Sequence, residues 1–262
     1  MSEIIAQQFR YRLLFEPEHE FQTKNGHLIC DKFITESNIT ETQDKYLRQI
    51  FSNRVDSDWI AQLSHRKFKR HLWPFLPKKY IIKFVRGNLS AAFFNRYFDI
   101  PVLFIVRNPF DVIFSQYRVK FPWLYNLEHF KNQDALNTIL DQNYNFTWSE
   151  LDKYTDVQIL ALRWCIENKV VFDINTKSSS SFKILKYEEL KTDINMFLSL
   201  CEEFNIKLLK NIHSIYNNPS SKTHPKSNIR GNNNADYNLT SSKVKEINVV
   251  LNKFKITMYP LQ

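Results

Sequence analysis

The chain has 262 residues, of which 43% are hydrophobic and 15% aromatic, and its 36 Lys and Arg against 27 Asp and Glu give a formal net charge of +9. This composition is typical of a globular protein with one large domain or two small ones, and it excludes a disordered or collagen-like chain. Apolar runs such as 80–85 and 101–106 are far shorter than the roughly 20 residues that cross a bilayer, so we expect no membrane span. Because no zinc-ligand spacing, heptad array or ribonucleoprotein motif accompanies the positive charge, we expect no nucleic-acid partner.

The predicted elements alternate between strand and helix along the chain. In chain order they are a helix at 1–8, a strand at 11–15, a helix at 40–55, a strand at 80–85, a helix at 88–98, a strand at 101–106, helices at 109–119 and 149–175, a strand at 182–185, and helices at 188–204 and 242–254. Strands that are apolar throughout are buried on both faces, as in parallel sheets covered by helices. The sequence therefore predicts an α/β fold, with ligands bound beyond the carboxyl ends of the strands.

The strand exit at Arg107 is the most informative segment of the sequence. Arg107 follows an apolar strand, Asn108 is a good helix N-cap and Pro109 suits the first helical position. A guanidinium beside the start of a helix favours an anion such as phosphate. Ser115, two helical turns past the cap, lies on the same helix face as Asn108. The same spacing also fits an arginine paired with Asp111 and a serine that faces solvent, and the segment alone leaves both interpretations open.

This segment resembles the second cofactor motif of the sulfotransferases that use 3′-phosphoadenosine 5′-phosphosulfate. In that family an arginine at a strand end, followed by proline and by a serine eight residues after the arginine, contacts the 3′-phosphate. Arg107 and Ser115 match this pattern. The resemblance implies that both residues bind the cofactor, that the donor is 3′-phosphoadenosine 5′-phosphosulfate, and that no metal takes part.

Two later segments extend the resemblance in the family's order. Tyr187, in the sequence Lys-Tyr-Glu-Glu-Leu after a predicted strand, is similar to the family's tyrosine near the adenine. Arg230 and Gly231 resemble the Arg-Gly pair of the C-terminal loop that closes over the 3′-phosphate. The resemblance therefore implies that Tyr187, Arg230 and Gly231 bind the cofactor, and that residues 217–236 form a cofactor-covering loop.

The family's glycine-containing 5′-phosphosulfate loop has no counterpart in this sequence. The three glycines are Gly26, Gly87 and Gly231, and none opens a helix after an apolar strand. The resemblance implies a single domain over 1–262 with a helical insert at 121–146. Its fold would be a three-layer P-loop-NTPase-like parallel sheet with helices on both faces, lacking the first strand and its P-loop. We therefore hypothesise that the chain begins immediately after that loop.

The implied reaction is sulfuryl transfer to a hydroxyl of a small-molecule or glycan acceptor, and it needs a general base. Glu16 at a strand exit is the first candidate, with Glu18 or His19 as stand-ins. His71 resembles the base of the family's cytosolic branch but lies farther from Arg107 than that branch's spacing. Two alternatives stay open: an inactive nucleotide-binding remnant, and a small-molecule kinase on the same fold.

The three cysteines are expected to be buried, reduced thiols rather than a metal site.

Overall fold

In a computed structural model of the protein, the structure describes residues 1–7, 11–64, 79–174, 181–207, 211–216 and 239–262. The strands within these ranges are β1 (Tyr11–Phe15), β2 (Lys79–Lys83), β3 (Val102–Val106) and β4 (Phe182–Lys186). The α-helices within them are α1 (Ser2–Ala6), α2 (Glu41–Phe51), α3 (Asp58–Ala61), α4 (Ala91–Phe98), α5 (Pro109–Val119), α6 (Pro122–Tyr125), α7 (Glu128–Lys131), α8 (Asp134–Tyr144), α9 (Asp156–Trp164), α10 (Val170–Ile174), α11 (Tyr187–Thr192), α12 (Ile194–Glu203), α13 (Ile212–Tyr216) and α14 (Ser241–Lys253).

The strands form two parallel pairs. β1 pairs with β2, ending with Phe15 opposite Lys83, and β3 pairs with β4, ending with Val106 opposite Lys186. Helices separate the strands of each pair along the chain, as parallel connections require. The predicted α/β class with parallel strands is therefore confirmed. Among the helices of the described ranges, none is long and apolar enough to cross a bilayer.

The chain divides into two compact units. The first unit comprises Met1–Pro101 and Glu189–Ser220 and contains β1 and β2. The second unit comprises Val102–Glu188 and Ser221–Gln262 and contains β3 and β4. The single domain over 1–262 stays a prediction, and the cofactor-covering loop predicted at 217–236 lies outside the described residues.

The core of the first unit forms around β1 and α2. Leu14, Leu47 and Ile50 are fully buried in one apolar cluster, which also contains Phe93 and Phe94 of α4. The start of α2 is fixed locally, because Thr40 and Gln43 form a capping box that satisfies two backbone donors. The amphipathic pattern that predicted a helix at 40–55 therefore orients the apolar face of α2 toward the strand.

In the second unit, α9 is the central helix, and α5, α6 and α14 all pack against it. Residues 121–146, predicted as a helical insert, contain α6, α7 and α8. The helix predicted at 149–175 is confirmed from Asp156 to Ile174, where α9, a π-helical stretch at Cys165–Lys169 and α10 follow one another, but it is wrong before Thr155. A 3-10 turn at Trp148–Lys153 ends at the extended residue Tyr154, and Thr155 then starts α9 with a second capping box. The cap interrupts the helix because the Thr155 backbone is itself extended.

Each unit contains a buried arginine whose guanidinium is held by hydrogen bonds or an ion pair. Arg12 of β1 is 2% exposed, and its guanidinium donates to Asn53 Oδ1 at 2.6 Å, the Val55 carbonyl at 2.9 Å and Asp56 Oδ1 at 3.0 Å. Arg163 of α9 is 1% exposed and binds Glu167 at 2.8 Å. Each buried charge is thus compensated by acceptors, which burial requires.

Replacing Arg12 tests this anchoring. The Arg12→Met variant leaves the Asn53 and Val55 acceptors without their donor, so we expect it to lower the free energy of unfolding by about 2 to 4 kcal/mol. Urea unfolding followed by circular dichroism measures the change. Arg96→Met, at an exposed position on α4, is the control and should change stability by less than about 0.5 kcal/mol. Equal effects of the two substitutions would contradict the assignment.

Candidate functional site

Arg107 and Tyr187 come together at the carboxyl end of the β3–β4 pair. Because Val106 lies opposite Lys186, the next residue of each strand leaves the sheet at the same edge. The Arg107 guanidinium carbon lies 4.8 Å from the centroid of the Tyr187 ring, within the range of a cation–π contact. The structure thus joins two residues that are 80 positions apart in the chain.

The Arg107 guanidinium is exposed and keeps its charge available. Within the part of the chain that the structure describes, no carboxylate lies at ion-pair distance from it, so the pairing with Asp111 that the spacing also allowed is not formed there. A planar guanidinium with free N–H groups is suited to bidentate binding of phosphate or sulfate. Its position over an aromatic ring adds a surface on which a planar group can stack.

The backbone around Arg107 is held by three side chains. The Trp164 indole donates to the Arg107 carbonyl at 3.1 Å, and the Asn108 amide donates to Glu188 Oε1 at 2.9 Å. The Tyr259 hydroxyl lies 2.9 Å from Glu188 Oε2 and 3.3 Å from the Val106 carbonyl oxygen, so it can donate to either. These bonds fix the direction in which the strand exit leads into α5.

The first turn of α5 offers less to an anion than the sequence indicates. The Phe110 amide donates to Asn108 Oδ1 at 2.9 Å, Pro109 has no N–H, and the Val112 amide donates to the Asn108 carbonyl at 3.1 Å. The Glu188 carboxylate already accepts the amide of Asn108 itself. Since these donors are satisfied internally, the guanidinium of Arg107 is better suited to an anion than the amides of Asn108, Phe110 and Val112 are.

Ser115 lies on α5, the helix that begins at this exit, and is half-buried. At 1.5 Å of rise per residue its Cα is about 9 Å along the helix axis from that of Pro109. The residues that α5 buries are Pro109, Phe110 and Ile113, so Ser115 belongs to the more exposed side of the helix. Its role as a cofactor ligand stays a prediction.

Glu16 lies in the first unit, at the end of β1, and not in the unit of Arg107. Its carboxylate pairs with Lys83 Nζ at 3.4 Å, and its carbonyl accepts from the Trp59 indole at 3.3 Å. Its φ of 45° lies in the left-handed region, which is uncommon for a residue with a side chain. The β1–β2 exit therefore holds an ion pair on a strained backbone.

The other predicted residues have different outcomes. His71, Arg230 and Gly231 lie outside the described residues. The three cysteines are buried and free, as expected, and burial raises the pKa of the Cys201 thiol to about 11. Across the described ranges, no group of three or more His, Cys, Asp or Glu side chains is placed to hold a metal.

Two residues of the β3–β4 exit were missed by sequence reasoning. Glu188 follows Tyr187 directly, and the capping preference of a carboxylate near a helix start is the signal that could have drawn attention to it. Tyr259 lies 153 residues after Val106, and no local pattern indicates that its hydroxyl reaches this strand end.

No protein-family model matches the chain, and no curated protein or solved structure matches it either.

Replacing Asn108 tests whether its side chain stabilises the start of α5. Asn108→Ala removes the oxygen that accepts the Phe110 amide, and we expect a loss of about 1 kcal/mol in the free energy of unfolding. Asn108→Ser keeps a hydroxyl acceptor and should lose less than half of this value. Urea unfolding of the three proteins measures the difference, and a serine variant as unstable as the alanine variant would argue against a capping role.

Proposed function

We propose that this chain is a sulfotransferase-like protein that binds the nucleotide end of 3′-phosphoadenosine 5′-phosphosulfate at the β3–β4 exit. The observation that carries the proposal is the exposed Arg107 guanidinium, which has no acidic partner among the described residues and lies 4.8 Å from the Tyr187 ring. A cation suited to a terminal phosphate and a ring suited to a base or ribose stand side by side. The strand pairs support an α/β class with parallel strands, and the P-loop-type sheet is proposed on the family resemblance alone.

Rigidity of the exit supports binding as well. Trp164, Glu188 and Tyr259 fix the backbone on either side of Arg107, and the Tyr187 ring is the contact of its guanidinium. A preorganised cation loses less conformational entropy on binding than a side chain on a mobile loop. Ser115, farther along α5, is proposed as a second contact to the same phosphate, as its place in the family motif implies.

The phosphosulfate end of the donor has no matching loop in these 262 residues. When bound, the donor would supply an activated sulfuryl group, and the general base stays a prediction from the sequence, with Glu16 as its first candidate. Because the loop that would stabilise the departing phosphate is not in the sequence, we propose that this chain alone binds the nucleotide and turns over little. The acceptor class we propose first is carbohydrate.

Calorimetric titration with 3′-phosphoadenosine 5′-phosphate tests the proposal. We expect weak binding by the wild-type chain and at least about tenfold weaker binding by Arg107→Gln, which loses the charged fork. Tyr187→Ala should weaken binding to a smaller extent, since it removes only the stacking surface. Arg96→Gln, an exposed arginine on α4, is the matched control and should bind like the wild type.

Wild-type protein that shows no heat of binding at millimolar nucleotide would reject the proposal. Equal losses in Arg107→Gln and Arg96→Gln would show that binding follows net charge and not this site. Transfer of labelled sulfate to a glycan panel is measured in parallel, and rapid transfer would overturn the expectation of little turnover while leaving the nucleotide site intact.

A further inference from the structure

The segment that follows β1 in the first unit is held by side-chain hydrogen bonds and by a close backbone approach at Gly26. The Tyr46 hydroxyl of α2 donates to the Pro17 carbonyl at 2.7 Å, and the Thr23 hydroxyl lies 3.0 Å from the His19 carbonyl oxygen. Gly26 approaches so closely that a Cβ there would come within 2.4 Å of that same oxygen. The segment is therefore anchored at its two ends, where Pro17, Glu18 and Gly26 are buried, whereas Phe21, Gln22 and Lys24 between them are exposed.

Glu18 lies inside this segment and joins it to the exit of β2. Its Oε1 accepts the Val85 amide at 2.6 Å and the Arg86 amide at 3.0 Å. The residue is only 1% exposed, and its Oε2 is buried with no hydrogen-bond partner among the described residues. One carboxyl oxygen thus makes both connections, and the other contributes none.

The charges around Glu18 do not compensate a negative charge on Oε2. Glu16 at the end of β1 is a like charge, and among the described residues burial and, in addition, the charge of Glu18 raise the pKa values of the Cys30 thiol and the Tyr46 phenol. The nearby Arg86 guanidinium is already engaged, since Nε binds Asp31 at 2.7 Å and Nη1 binds Glu20 at 2.6 Å. Burial is the largest influence and raises the pKa of Glu18 to about 7, with Glu16 adding to it and the amide bonds opposing it.

We propose that Glu18 is a proton-dependent latch, whose neutral carboxyl holds the segment after β1 against the β2 exit and whose ionised form releases it. In the neutral state Oε1 keeps both amide bonds and no charge is buried. In the ionised state the charge on Oε2 is buried without a hydrogen-bond donor among the described residues, and opening of the segment hydrates it. The two residues of the Glu16–Lys83 ion pair precede Glu18 and Val85 by two positions each, so the pair lies close to the latch in the chain.

The sign of the pH dependence follows from proton counting. In the closed state the pKa of Glu18 is raised to about 7, whereas in the open state it takes its ordinary value of 4.5. The closed state therefore binds more protons than the open state between these values, and the closed state loses stability as pH rises through this window. Below pH 4.5 the protonation of Glu18 stabilises the closed state to its full extent. Above about pH 7 the stability of the closed state changes little further with pH.

Hydrogen exchange at the Val85 and Arg86 amides measures opening of the latch directly, because these two donors bind Glu18. After correction for the intrinsic exchange rate, protection in the wild type should fall about 30-fold between about pH 5.5 and about pH 8.5, as the two pKa values require. Glu18→Gln keeps the accepting oxygen but cannot ionise, so its protection should be the same at both pH values.

Three comparisons make the result decisive. Glu36→Gln, at an exposed glutamate in the first unit, should retain the full pH dependence of the wild type. The amide of Leu47, buried in α2, should stay protected at both pH values, and an equal fall there would show global unfolding and overturn a local latch. A wild type without pH dependence, or a Glu18→Gln protein that keeps it, would also overturn the proposal.

A wild-type measurement covers the case in which Glu18→Gln does not fold. The carboxyl-carbon NMR shift of Glu18 should titrate with a midpoint near 7. A midpoint at the ordinary value of 4.5 would show that the buried oxygen is hydrated or paired, and the latch would then be rejected.

Discussion

Parallel pairing in register is the constraint on which both strand exits depend. Two parallel strands that end opposite each other release their next residues at one edge of the sheet, whatever lies between them in the chain. The alignment of Val106 with Lys186 places Arg107 beside Tyr187, and that of Phe15 with Lys83 allows Glu16 to reach the Lys83 ammonium. Hydrogen-bond register in the backbone thus selects which side chains meet.

The charged groups of the molecule fall into two kinds, and the difference is physical. Arg12 and Arg163 are buried, and their hydrogen bonds to acceptors compensate the loss of water, so they serve the scaffold. Arg107 is exposed and has no such acidic partner in the described ranges, so its charge can act on a ligand. Glu18 belongs to neither kind, since its burial is compensated at only one of its two oxygens.

At the start of α5 the local sequence motif predicts the helix boundary correctly but overestimates how many backbone amides are available to an anion. Asn108 and Pro109 begin the helix where their preferences predict. However, the capping oxygen of Asn108 accepts the Phe110 amide, and Glu188 accepts the Asn108 amide. Neither amide is then free to donate to an anion. A well-capped helix start is therefore less suited to an anion than an uncapped one, whereas the neighbouring guanidinium remains exposed.

Sequence alone determined the elements whose cause is local. The apolar runs placed β1 and β3, and the Asn-Pro pair placed the first turn of α5, because backbone preferences and caps act over about four residues. Tertiary structure alone decided that Glu18 is buried and that Tyr259 reaches a strand end 153 residues away. Burial and long-range hydrogen bonds depend on which surfaces meet after folding, and the spacing of residues along the chain does not contain that information.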